Sequence, residues 1–221
     1  MPWHFLDTAS QSAFGSPLAD QSNQNQIDNA TMIYNYFSAL GYSLNAIAAL
    51  IGNAQHESFL NPAQWQNGVG STTGAYGLWQ WDPTTKYTQT YCNHFGYDRT
   101  DGDKQCEWIE TQTIGGLLGD QWLTSSTLAD ADPRQWNVFK YTTAYTPEQL
   151  ARSFCGHWER GYWAQRRATN ARYWYDYFSG TPPTPPPTGA GVPIWLLAKI
   201  VKNRQTAGYI RRADGKGMII Q

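Results

Sequence analysis

Apolar residues recur at helical spacing in two stretches near the start of this chain. Ile27, Ala30, Ile33, Tyr34, Phe37 and Leu40 repeat every three or four residues, the period that sets one side of a helix against a core. Gly41 follows, a residue suited to the left-handed position just past a helix end. Ser43 is placed to cap a second helix with an apolar face of Leu44, Ile47, Ala48, Ile51 and Ala54. That helix is expected to stop near Glu57, because Asn61-Pro62 opens a turn. Residues 66–75, rich in Gly, Ser and Thr, read as a loop. The run Tyr76-Gly77-Leu78-Trp79-Gln80-Trp81 alternates and is closed by Asp82-Pro83, which predicts a short strand or hairpin arm. Further helices are expected over 103–123, 148–159 and 163–178, with Thr146-Pro147 supplying the cap and first position of the middle one. The pattern predicts an α+β domain, mostly helical, with a small β element after the second helix.

Beyond these helices the pattern breaks. Thr181-Pro182-Pro183-Thr184-Pro185-Pro186-Pro187-Thr188 favours an extended spacer that cannot continue a helix. The expected organisation is an irregular polar arm over 1–25, a globular domain over 26–180, a Pro/Gly linker over 181–191 and a tail over 192–221. Charge changes at the same place. Residues 1–188 hold 10 Lys+Arg and 16 Asp+Glu, whereas residues 189–221 hold 6 and 1. The tail opens with Val192-Pro193-Ile194-Trp195-Leu196-Leu197-Ala198 and interleaves Lys199, Lys202 and Arg204. A basic amphipathic helix of that kind can dock on an anionic membrane or wall surface; packing within an oligomer or against partner proteins is the alternative.

Composition narrows the function. No run of apolar residues is long enough to span a membrane, and Met1-Pro2-Trp3-His4 lacks the basic-then-apolar pattern of a secretory signal. Only 15% of residues are charged while 15% are aromatic, including 11 Trp and 14 Tyr. Amphipathic rings stack on the C–H faces of sugars, so this balance suits a protein that handles neutral polymers. Cys92, Cys106 and Cys155 form no even framework and read as free buried thiols.

Glu57 is the first candidate for chemistry. It lies at the edge of the buried face of its helix, in the last turn, where the dipole is negative. Both factors are expected to raise its pKa, as a glycosidase needs in the acid that protonates a leaving glycosidic oxygen. Its surroundings sharpen this. His56-Glu57-Ser58, Asn61-Pro62, the Gly/Ser/Thr loop and Tyr76–Trp81 together resemble the lysozyme-like glycan-cleaving superfamily. In that superfamily a helix-ending Glu-Ser faces a Gly-Leu-aromatic-Gln-aromatic run. The match is specifically to phage tail lysozymes, the tail-knob peptidoglycan-degrading proteins of short-tailed phages. It extends over about 25–178 through Asn29-Ala30, Gly41-Tyr42, Gly52-Asn53, Trp65-Gln66, Phe154, Trp158-Glu159-Arg160 and Arg166-Arg167.

The resemblance implies a lysozyme-like catalytic domain with Glu57 as proton donor and Gln80 as a residue that binds substrate or holds the acid. Trp79, Trp81, Tyr76 and Trp65 become candidates for lining sugar subsites, although alternation sets Trp79 and Trp81 on one face and so commits at least one to the core. Asp82 is the candidate second carboxylate. Tail lysozymes often carry Thr-Pro at Asp82-Pro83, so a turn-capping role competes, as do Asp98, Asp101 and Asp103 for the carboxylate role. Glu159 reads as half of a structural ion pair. The implied activity is a muramidase-type hydrolase carried on a phage tail to open the host wall during genome delivery. Lytic transglycosylation by Glu57 alone, or wall binding without catalysis, are the alternatives. Expected partners are peptidoglycan and other tail proteins, without nucleic-acid readout.

No cofactor or metal is expected. Leu60 stands where a zincin-like string from His56-Glu57 would need its second His. Cys155 and His157 are two apart on a helix and face different ways.

Overall fold

Helix α1, Gln24–Ala39, starts on Asn23, whose side chain accepts from Gln26 N, and helix α2, Leu44–Ser58, starts on Ser43, whose hydroxyl accepts from Ala46 N. A computed structural model of the chain describes residues 2–6, 14–66, 74–83 and 85–181, with the backbone of 209–211 and 217–219. The chain divides into two compact units, Met1–Pro183 and Thr184–Gln221.

In the first unit α2 is the centre. The sequence suggested one apolar face, yet every residue from Ala46 to Gln55 is buried, because α1, α6 (Pro147–Phe154) and α7 (Ala164–Ser179) surround it. Leu50 and Ile51, fully buried, each stabilise the fold by about 1.5–3 kcal/mol. Gly52 sets the spacing: a Cβ there would meet Ala171 N at 2.6 Å and Arg167 O at 2.8 Å. Only glycine lets α7 lie this close. The expected cap at Thr146 is present as a reciprocal pair, with Gln149 N donating to Thr146 Oγ1 and Thr146 N donating to Gln149 Oε1.

Other elements depart from the expected pattern. The helix expected over 103–123 is α4, Gly102–Gln112, and ends before Gly115 and Gly116. A π-helical turn, Lys86–Tyr91, runs into α3, Cys92–Phe95, and the short α5, Trp136–Tyr141, precedes α6. A second π-helical turn, Cys155–Glu159, extends α6. The N-terminal arm is irregular where described, but it is tied down. Asn29 Nδ2 donates to the His4 carbonyl, Asn61 Nδ2 to that of Leu6, and Phe14 is 1% exposed.

The expected β element is not there. Tyr76 and Trp81 bond to each other both ways, Tyr76 N to Trp81 O at 3.3 Å and Trp81 N to Tyr76 O at 2.9 Å. The six residues therefore close on themselves as a turn, with single bridges to Trp65 and within the turn instead of a ladder. Gly77 has φ +87°, and a Cβ there would sit 2.7 Å from the Trp81 ring. Among the described residues of the first unit there is no strand, so the α+β assignment gives way to an almost entirely helical one. The strands that are described lie in the second unit: β1, Tyr209–Arg211, pairs antiparallel with β2, Gly217–Ile219. The loop over 67–73, the linker over 182–191 and the amphipathic run over 192–204 lie outside the described residues. Among the described residues no helix is long and apolar enough to cross a membrane.

Candidate active site

Asn53 and Glu57 are four residues apart on α2 and so share a face. The close approach at Gly52 brings Arg167 of α7 onto that face. Its guanidinium is spent on four groups. One Nη donates to Glu57 Oε1, the other to Asn53 Oδ1 at 3.1 Å, and Nε donates to the Tyr162 carbonyl at 3.1 Å. Glu159 Oε1 lies 3.6 Å from the Asn53-bound nitrogen, an ion-pair contact too long for a hydrogen bond.

The two carboxyl groups around Arg167 differ. The Glu57 side chain is 19% exposed and that of Glu159 is 5%. Glu159 Oε1 is buried without a hydrogen-bond partner. Burial first, then the charge of Glu57, hold Glu159 protonated well above the usual carboxylate range, against the pull of Arg167 and Arg160. Arg167 is itself buried, which disfavours its charge, but its carboxyl neighbours, with Glu57 bonded to it directly, hold it cationic. His56 is lowered to about 4 by burial and by the charges of Arg167 and Arg166, so its ring is neutral near pH 7. Glu57, expected at the edge of the buried face of its helix, thus sits beside a cation.

Ser58 joins this helix end to the Tyr76–Trp81 turn, donating to Leu78 O at 3.0 Å. Within that turn Gln80 is partly exposed, and its Nε2 donates to the carbonyls of Gln64 and Gly77. It braces the turn. Trp79 is fully buried with Nε1 donating to Leu50 O at 3.1 Å, and Trp81, Tyr76 and Trp65 are buried against Tyr87, Trp108, Trp158 and one another. All four proposed sugar-lining rings are therefore in the core in this conformation. Asp82 is exposed at the exit of the turn and has no ion pair with Arg167. The carboxyl group that shares a partner with Glu57 is Glu159.

Arg167 was in view in the sequence only as part of a matching closing helix, with no role. It stands 110 residues from Glu57, so no local spacing reveals the pair. Burial pushes the thiols of Cys155 and Cys92 up to about 11 and also raises that of Cys106, so all three favour the unreactive thiol form near neutral pH. His157 does not approach Cys155 as a partner, its ring nitrogens facing the carbonyls of Leu123 and Ala131. Among the described residues no cluster of His, Cys, Asp and Glu is arranged to hold a metal ion.

The family model for phage tail lysozyme matches residues 28–178, which include every side chain of this site. Morphogenesis protein 1 of Bacillus phage B103 is 32% identical over 157 residues. That alignment covers 69% of this chain and 40% of the relative, so the chain spans less than half of the relative's length. On the extent of the family match, the chain belongs to the phage tail lysozyme family and is accordingly a virion-associated protein.

Proposed function

We propose that the chain cleaves the glycan strands of bacterial peptidoglycan as a muramidase-type hydrolase, in which the protonated form of Glu57 gives its proton to the leaving glycosidic oxygen and is left as the carboxylate that Arg167 pairs with. The observation that carries this is the exposure difference within the Arg167 cluster. Glu57 is the carboxyl group open to solvent, and Glu159 is closed off. Arg167 and Asn53 fix the side of α2 that presents it, and Ser58 fixes the adjoining turn. Preorganisation of that kind keeps an acid within reach of the oxygen it protonates. As the C–O bond breaks, positive charge develops on the anomeric carbon and a water completes hydrolysis. Asp82 is the candidate to stabilise that charge from across the substrate. Its variant Asp82→Asn is expected to lower turnover while leaving glycan binding intact. Unchanged turnover would return Asp82 to a turn residue.

One observation favours a second reading: among the described residues no exposed carboxylate shares Arg167 with Glu57. A single acid suffices for a lytic transglycosylase, in which the muramyl 6-hydroxyl replaces water. Mass spectrometry of the released fragments separates the two. Hydrolysis gives reducing ends, whereas transglycosylation gives anhydro ends one water lighter. Release of peptides without glycan cleavage would overturn both. Incorporation into a phage tail, with other tail proteins as partners, belongs to the same reading.

A further inference from the structure

Tyr162 and Trp163 are 84% and 63% exposed, while the buried tryptophans of the core are 6% exposed or less. Among the described residues Trp163 is the one exposed tryptophan. The pair is not loosely held. The Tyr162 carbonyl accepts from Arg167 Nε, Gly161 N donates to Cys155 O at 3.2 Å, and Arg166 N donates to Trp163 O at 2.9 Å. Arg166 also stands over the Trp163 ring, 4.6 Å from its centroid, and covers one face. Trp163 has φ +61°, a left-handed conformation that bulky residues rarely adopt.

Position gives the pair a meaning. The Tyr162 carbonyl and the Glu57 carboxylate are bonded to one and the same guanidinium, so the aromatic pair begins one Arg167 head group away from the candidate acid. A solvent-facing ring on a turn whose backbone is bonded to the acid's own guanidinium partner meets the requirement for stacking on a pyranose C–H face, with its polar edge left for hydroxyl or amide groups. We infer that Tyr162 and Trp163 form a stacking subsite for a sugar ring of the glycan strand, next to the bond cleaved. The inference rests on the glycan reading of Glu57 and adds the residues that position the chain of sugars.

The test uses the full chain carrying Glu57→Gln, so that ligand is not consumed, and titrates an N-acetylglucosamine tetramer by calorimetry. Trp163→Gly is the informative change, because glycine accepts the left-handed backbone and removes only the ring; Tyr162→Ser is its companion. Each is expected to weaken binding about tenfold, and both together more, with melting temperature held. In the otherwise unaltered enzyme, KM for soluble glycan fragments should rise more than kcat falls. Affinity unchanged in both single variants and the double, or no binding of the tetramer at all, would overturn the subsite. Failure of the Glu57 assignment is read separately, as wall cleavage surviving Glu57→Gln.

Discussion

Two turns rich in aromatic residues meet the end of α2, and they were built for opposite environments. The Tyr76–Trp81 turn is tethered by Ser58 and sinks its rings into the core; the Gly161–Trp163 turn is tethered by Arg167 and leaves its rings in solvent. Both carry a Trp within a few residues of a glycine. What separates them is the partner set. Trp79 finds an acceptor in the Leu50 carbonyl and Trp81 stacks 4.5 Å from Tyr87, whereas Trp163 meets a single guanidinium. The first turn holds the acid's helix in place. The second offers something to bind.

Substitution separates them most sharply in stability. Trp79→Ala removes a fully buried ring and leaves a cavity, which should cost about 3–5 kcal/mol and lower the melting temperature by roughly 10 °C or more. Trp163→Gly should stay within about 0.5 kcal/mol, as exposed substitutions do. Equal losses in calorimetric melting would erase the distinction. Ser58→Ala tests the tether of the first turn and should cost about 0.5–1.5 kcal/mol, with a loss of turnover that glycan affinity does not share.

Glu159 gives a pH dependence. Its folded carboxyl holds a proton that the unfolded chain releases above the ordinary carboxylate pKa, so its contribution to stability falls as pH rises. Glu159→Gln mimics the protonated form. Its melting temperature should gain on that of the unaltered protein between about pH 5 and 8, both lying above the model-peptide Glu value. A gap that moved the other way would mean an ionised Glu159 paired with Arg167. The smallest effect is expected from removing residues 181–221. A domain boundary near 180 leaves melting and fragment release nearly unchanged, with particle attachment or salt-sensitive surface binding lost instead.

How much of this was legible in the sequence follows from the range of each interaction. The caps at Ser43 and Thr146 are local, and so are the helices they begin. Six alternating residues over 76–81 fit a strand and a closed turn equally; the positive φ of Gly77 and of Gln80 makes them the turn. The helix expected over 103–123 stops at Gln112, ahead of Gly115 and Gly116, and Ile114, Leu117 and Leu118 beyond it are exposed, so no buried face continues it. Glu57 was found by pattern, but its partner was not, since Arg167 arrives through packing at Gly52. Exposure of Tyr162 and Trp163 was equally out of reach, because composition records how many rings there are and not which ones the core leaves outside.

The central claim is that the carboxyl group of Glu57 performs the chemistry. Glu57→Gln keeps the side chain's shape and a group for Arg167 to meet, while removing the donatable proton. Release of soluble glycan fragments from purified peptidoglycan, followed over time at matched protein concentration, should fall by about 10²–10⁴-fold with the fold intact by circular dichroism. Fragment release within a few-fold of the unaltered protein would contradict the account.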